Sequence, residues 1–295
     1  MSRFVAVNLA GMEPPDIIET ISFEAILKEL KADMSARMAD LGLEFDVQDL
    51  ESDPAVKILE VAADREVILR ARVNGAAKAL LLALAHRHDL EHLGAWFGVE
   101  RLIVNTNPLT MEDDERLRVR VQLAPQAFST AGPHGAYVFH AMTAAPTVKH
   151  VGIDVPEPGH VILYPLVPTG DGTPSIEVLR AIRERLLRED VRPLTDVITV
   201  TAPDIIHTTV DVTLVMGEGV DPVLLEDRAK TGIAAYALKR HKVGAPFYRS
   251  GVYDAAMVPG VDNVIINSPL ADIDPGVGGA VYVEAIFVDS QVIRL

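Results

Sequence analysis

Apolar residues in the first third of the chain recur at helical spacing. Phe23, Ile26, Leu27, Leu30, Met34, Met38 and Leu41 stand three or four residues apart behind Ser22, whose hydroxyl is placed to cap a first turn. The spacing predicts a helix over 23–41 with one apolar stripe, and Glu24 stands four residues before Lys28, the favourable order for a helical ion pair. Ser52, Asp53 and Pro54 make a second start signal, an acidic cap followed by Pro at the first helical position. A long helix to about Ala85 follows. Its first half sets Val56, Leu59, Ala63, Val67, Leu69 and Val73 among charges, whereas 76–85 is apolar nearly all round apart from Lys78. Such a segment belongs at the centre of a helical bundle or between subunits. Asn74 and Gly75 mark a candidate kink.

Residues 105–114 and 125–135 are rich in Asn, Thr, Pro and Gly and read as loops. Short helices are expected over 115–123 and 136–144, although 116–123 alternates enough to be a strand, and both readings stay open. At Val148 the pattern changes. Runs 148–155 and 160–167 are β-rich and separated by Pro156-Glu157-Pro158-Gly159, a hairpin signal. Ser175 caps a helix over 176–187, and strands follow at 197–201 and 206–216, the second turning Val210, Val212 and Leu214 inward. Helices at 221–241 and 250–257 and strands at 261–266 and 280–288 complete the chain. The fold class expected is α+β: a helical N-terminal part followed by small mixed or antiparallel α/β modules. The division expected is a helical region 1–104, a linker with short helices 105–147, a ββαβ module 148–204 and a C-terminal βααββ module 205–295.

Composition narrows the functions. The chain has 295 residues, 49% hydrophobic and 23% charged, enough apolar content to form a core and too much for a disordered protein. With no Cys, disulfides, thiol nucleophiles and thiolate metal sites are excluded. The net charge of −15 repels a phosphate backbone, so no nucleic-acid partner is expected. The basic run Lys239, Arg240, His241 and Lys242 ends a predicted helix, where the helix dipole favours cations. The longest apolar stretch, 79–85, is far short of the roughly 20 residues that cross a bilayer. The N-terminal apolar run is broken by Asn8 and lacks the pattern of a signal peptide, so a soluble protein made in a cytoplasm is expected.

The sharpest chemical motif is His88-Asp89-Leu90-Glu91-His92, which matches the H-x-x-E-H spacing of inverted zinc peptidases. The alternative function it suggests is a metal-dependent hydrolase using His88, Glu91 and His92. Against this, cationic side chains at the end of one helix and the start of the next need no metal, and no later segment offers a partner motif for the further protein ligand a catalytic zinc requires. Asp272-Ile273-Asp274 begins like a calcium loop, but Val277 stands where Gly is needed and Val283 where the bidentate Glu is needed. Gly170-Asp171-Gly172 lacks the Lys-Ser/Thr of a phosphate loop. Trp96 and Phe97, between Gly94 and Gly98, are expected as core anchors at a tight corner, with a subunit contact as the alternative. No catalytic, cofactor-binding or metal residue is assigned, and no cofactor is expected.

Several segments together resemble the phage baseplate J-like family. They are the stretch from Leu50 through Glu51-Ser52-Asp53-Pro54 to Glu60, Arg65-Glu66 with Arg72-Val73-Asn74-Gly75-Ala76-Ala77, and Asp89-Leu90 with Val99-Glu100-Arg101. Further on they are Phe128-Ser129-Thr130-Ala131-Gly132-Pro133-His134-Gly135-Ala136-Tyr137, then the run from Glu189 through Arg192-Pro193-Leu194-Thr195-Asp196 to Val200-Thr201-Ala202-Pro203, and Pro269-Leu270-Ala271-Asp272-Ile273. They keep the family's order over most of the chain, and the clearest departures fall at 102–111 and after Asp274. The resemblance implies a structural wedge protein of a contractile phage, or phage-like, tail baseplate, with no catalytic residues. It also implies location in the virion after assembly in the host bacterial cytoplasm. As partners it implies other wedge proteins, sheath- and hub-proximal baseplate proteins, and a second copy of the chain in a homodimer within a wedge and a ring of wedges. By the same resemblance, the 23–41 stripe and the 76–85 segment are the candidates for an inter-chain helix bundle.

Overall fold

A computed structural model of the chain describes residues 7, 9–43, 53–129, 131–193, 195–217, 219 and 221–293. Leu50, Glu51, Ser52, Thr130 and Leu194, used in the sequence reading, lie outside the described residues, as do residues 1–6 and 8. The chain divides into two compact units, residues 6–100 and residues 101–295. Eight helices and eight strands in small sheets make an α+β protein with a helical N-terminal part, among the described residues.

The first unit holds α1 (Phe23–Asp40), α2 (Pro54–Ala79) and α3 (Arg87–Ala95). The caps follow the sequence signals: Ser22 accepts the Ala25 N–H and Asp53 accepts the Ala55 N–H, with Pro54 in the first turn of α2. Asn74 and Gly75 do not break α2, which runs unbroken through them. The helix does stop before Ala85. Its end falls at Ala79, and residues 81–85 close a tight turn in which the Leu84 and Ala85 N–H groups both reach the Leu81 carbonyl. This turn puts Ala85 in the interior, so the helix expected to about Ala85 ends at Ala79 and only 76–79 of the apolar segment is helical. Arg87, with φ 51°, begins the next helix from the left-handed region, a position that costs a non-glycine residue about 1–3 kcal/mol.

The second unit begins with a two-stranded hairpin, β1 (Ile103–Thr106) and β2 (Leu109–Met111), where a loop was expected. The turn formers occupy only its tip. The flanking Ile103, Val104, Leu109 and Met111 are too few to show alternation. Next come α4 (Asp114–Ala127) and α5 (His134–Ala144), so the ambiguous 116–123 segment is helical. Asp113 caps α4 on the Arg116 N–H, and Pro125, expected in a loop, lies inside the last turn of the helix.

Strands β3 (His150–Glu157) and β4 (His160–Leu166) pair antiparallel around a turn at Gly159, whose φ of 80° suits glycine. Helix α6 (Ile176–Leu186), capped by Ser175, returns the chain to β5 (Val197–Val200), which joins β4 in parallel. The last module contains β6 (Asp204–Met216), α7 (Pro222–Arg240), α8 (Arg249–Ala256), β7 (Asn263–Ser268) and β8 (Gly279–Val292), with sheet order β7-β6-β8. Its core follows the alternation of β6: Val210, Val212, Leu214 and Met216 face Leu225, Ala229 and Ile233 of α7 and Val252 and Ala256 of α8. Helices α7 and α8 approach closely. A Cβ at Gly232 would stand 2.3 Å from the Ala255 carbonyl oxygen, and one at Gly251 would stand 2.2 Å from the Tyr236 ring.

Candidate assembly surface

In the first unit α1 and α2 lie against each other, and α2 turns Val56, Ala63 and Asn74 into the contact with Ile26 of α1 also buried. Of the 23–41 stripe only Ile26 is fully buried, Phe23, Leu27, Leu30, Met34 and Met38 are half-buried, and Leu41 is exposed. Asn74 has a role that its sequence position did not announce. Its amide donates to the Glu19 carbonyl at 2.9 Å and accepts the Glu19 N–H at 3.2 Å, tying the segment ahead of α1 to α2. Beside it Arg70 pairs with Glu66 at 2.5 Å and with Glu19 at 3.1 Å.

The opposite face of α2 is open. Ile58, Val61, Ile68, Leu69 and Val73, with Leu80 at the C-cap, are all exposed, Ile58 at 70%, Leu69 at 62% and Leu80 at 76%. At 100° per residue these positions fall within one broad stripe along the helix, with Arg65 and Arg72 set among them. Burying one such side chain fully is worth about 1.5–3 kcal/mol, so the stripe stores a large unused driving force. Contiguous exposed apolar surface of this kind marks interaction sites. Trp96 is a correction: the only Trp of the chain, expected in the core, is 86% exposed at the C-terminal end of α3, and its neighbour Phe97 is also exposed. The glycines around the pair shape a corner that turns the rings outward.

The H-x-x-E-H residues sit on α3. His88 is 89% exposed and its Nδ1 lies 3.0 Å from Glu91 Oε2, a surface pair across one helical turn. His92 is exposed as well. No group of three or more His, Asp or Glu among the described residues is arranged to hold a metal ion. No helix among them is long and apolar enough to cross a membrane.

Two polar clusters in the second unit escaped the sequence reading because their members are distant or were masked by the helix-or-strand ambiguity. Glu112, with a fully buried side chain, accepts from Arg120 at 2.6 Å, from the Leu102 N–H at 3.2 Å and from Arg116. Arg116 also donates to the carbonyls of Val148 and Ala145, at 3.0 and 3.1 Å, so one buried ion cluster ties α4 to the end of α5 and the start of β3. Burial lowers the pKa of Arg116 in spite of Glu112 beside it. In the second cluster, His207 on β6 meets Glu284 of β8 at 2.7 Å and Asp171 of the 168–174 turn at 3.5 Å, while His241 meets the Asp171 carbonyl at 3.0 Å. The Tyr282 ring stands between the two histidines, 5.7 and 5.5 Å from their centroids. This cluster fastens the central sheet's turn to the C-terminal sheet.

Among the described residues the open apolar face of α2 is a surface suited to contact with another chain, and the polar clusters join elements of the fold. The comparisons agree. A model of the baseplate J-like N-terminal domain matches residues 51–107, which contain all of α2 and α3, and a model of the baseplate J-like central domain matches residues 129–202. Baseplate protein J of Escherichia phage P2 is 34% identical over 277 residues, covering 90% of this chain and 92% of that protein. Similarity of this extent establishes that the chain belongs to the baseplate J-like family and is a structural component of a phage tail baseplate that contacts other baseplate components, not an enzyme.

Proposed function

We propose that the chain is a wedge protein of a contractile tail, that the open face of α2 is buried in a helix bundle with another wedge chain or a second copy, and that neighbouring wedges are joined into a ring around the hub by the modules after residue 148. The observation that carries this is the stripe from Ile58 to Leu80, six large apolar side chains left open by α1. The bundle in this reading uses the face of α2 from Ile58 to Val73 and its C-cap Leu80, which overlaps the 76–85 segment, and α1 acts as its intramolecular buttress. In this reading 1–104 is the bundle region, 105–147 the connection, and 148–204 and 205–295 the modules that make ring contacts. No residue has a catalytic, cofactor-binding or metal role. Assembly takes place in the host bacterial cytoplasm, and two copies pair within one wedge.

Co-expression with the neighbouring tail proteins tests it. Leu69→Asp combined with Ile58→Asp places carboxylates in the stripe at exposed positions, so the chain should fold while co-purification with its partners falls at least about tenfold, the scale of a lost hot spot. Undiminished co-purification of a folded double variant refutes the bundle placement.

A further inference from the structure

The C-terminal sheet ends on an open strand. Its order β7-β6-β8 leaves β8, 14 residues long, on one edge, and among the described residues nothing pairs with the outer side of that strand. A free edge is a row of unpaired N–H and C=O groups, which proteins blunt with Lys, Pro or a bulge. Strand β8 has one bulge, opposite Thr208 and Thr209, and from Ala285 to Val292 it runs in unbroken register with β6 and contains neither Lys nor Pro. The core also stops short there. In the register pairs Val210–Ile286, Val212–Val288 and Met216–Val292 the β6 member is fully buried, whereas Ile286 and Val288 are half-buried and Val292 is 46% exposed. One more strand beside β8 would pair the open backbone and continue this apolar row, whereas a helix, whose backbone bonds are used internally, could do only the second.

Charge specifies the strand further. Strands β6, β7 and β8 carry Asp204, Asp211, Glu284 and Asp289 and no Lys or Arg. Asp289 is exposed, has no ion-pair partner among the described residues, and shares the outer face with Phe287, which is 56% exposed. A second copy does not fit this edge. No strand among the described residues contains Lys or Arg, and β8 laid against another β8 would set acidic side chains beside each other.

We propose that the open edge of β8 over 285–292 docks an extended segment of a different baseplate chain, one with apolar residues at alternate positions and Lys or Arg between them. Main-chain hydrogen bonds to β8 supply the affinity, the apolar positions extend the core beside Ile286 and Val288, and the cations lie on the face of Asp289. The inference rests on the reading that the module 205–295 makes contacts in the baseplate and names the edge and what it takes; it is independent of the α2 bundle.

Hydrogen exchange on the full chain is the test, with a synthetic peptide alternating Val and Lys as the probe. The peptide should bind saturably and slow exchange at 285–292, and a peptide alternating Val and Glu should bind at least about tenfold more weakly. Phe287→Lys with Asp289→Lys, both at exposed positions, should weaken binding of the Val-Lys peptide at least about tenfold. Unchanged exchange at 285–292, equal binding of the two peptides, or undiminished binding to the folded double variant overturns the proposal. The peptide comparison uses the wild-type chain, so it holds whether or not the double variant folds. Exchange in assembled baseplates then separates the edge from the reading beneath it. Slowed exchange at 285–292 supports the edge. Protection elsewhere in 205–295 with none at 285–292 overturns the edge alone, and no protection anywhere in 205–295 overturns the contact role of the module as well. The Leu69→Asp result bears on the bundle alone.

Discussion

Removing the carboxylate of Glu112 should destabilise the second unit more than any surface change. Its side chain is fully buried, and it compensates two guanidiniums, those of Arg120 and Arg116, that are themselves 2% and 11% exposed. Glu112→Gln keeps the shape and an acceptor for the Leu102 N–H, yet removes the negative charge that both guanidiniums share. Breaking a buried pair from one side costs about 3–5 kcal/mol, because the remaining charge has lost its solvent without keeping its partner. For a unit of this size that corresponds to a drop of roughly 6–20 °C in melting temperature. Arg116 retains its bonds to the Val148 and Ala145 carbonyls, which places the expected loss near the lower end. Calorimetry or urea unfolding followed by circular dichroism measures it. The transition of the first unit, where separable, should not move. A loss under about 1 kcal/mol, the scale of a surface pair, would refute the claim that Glu112 is the buried counter-ion of the cluster.

Burial and the nearby Lys242 and Lys149 push His150 down to about 4, and burial with Arg185 does the same to His140. Because both histidines are held neutral when folded, their contribution to stability is complete above the unfolded value near 6.5 and is lost as pH falls toward 4, on the order of 3 kcal/mol from His150 at the low end. Urea midpoints between pH 7 and 4.5 should fall accordingly, and His150→Gln should flatten the slope; a wild-type midpoint independent of pH in this window contradicts the assignment. Asn74→Ala removes both bonds to the Glu19 backbone and should cost the first unit about 1–3 kcal/mol, read as faster proteolysis ahead of α1; an unchanged cleavage rate would show that the clamp is dispensable. Trp96, being largely exposed, should emit at long wavelength and be quenched by iodide in the isolated chain, with little further shift on denaturation, whereas a blue, protected emission would return it to the core.

Much of this fold was legible because local chemistry and tertiary burial agree. The β6 alternation gives Val210, Val212 and Leu214 to the core, and Ser22, Asp53, Ser175 and Asp221 all cap where the pattern places helix starts. The order of elements after Val148 follows the expected one with shifts of a few residues at the ends. The assembly surface was harder to see. Helix α2 is apolar on two sides, one represented by Val56 and Ala63 and the other by Ile58 and Leu69, and periodicity says that both are apolar without saying which one α1 covers. Arg65 and Arg72 interrupt the second side and hide it further. In 76–85 composition looked like bundle core, but hydrogen bonding to Leu81 closes a turn there. Trp96 was misplaced because an aromatic flanked by glycines looks the same in sequence whether the corner faces in or out. The His207 cluster depends on residues brought together from as many as 77 positions apart, which no local spacing encodes, whereas Glu112, Arg116 and Arg120 stand four residues apart and were hidden by the helix-or-strand ambiguity of 116–123.

The absence of Cys makes a direct test of the α2 face available. Single cysteines introduced as Ile58→Cys, Leu69→Cys and Leu80→Cys can be probed with a maleimide in the isolated chain and in assembled baseplates. All three should react rapidly in the isolated chain and become protected together on assembly. Equal labelling of all three positions in the two states would show that the stripe remains open in the baseplate and would contradict the proposed bundle.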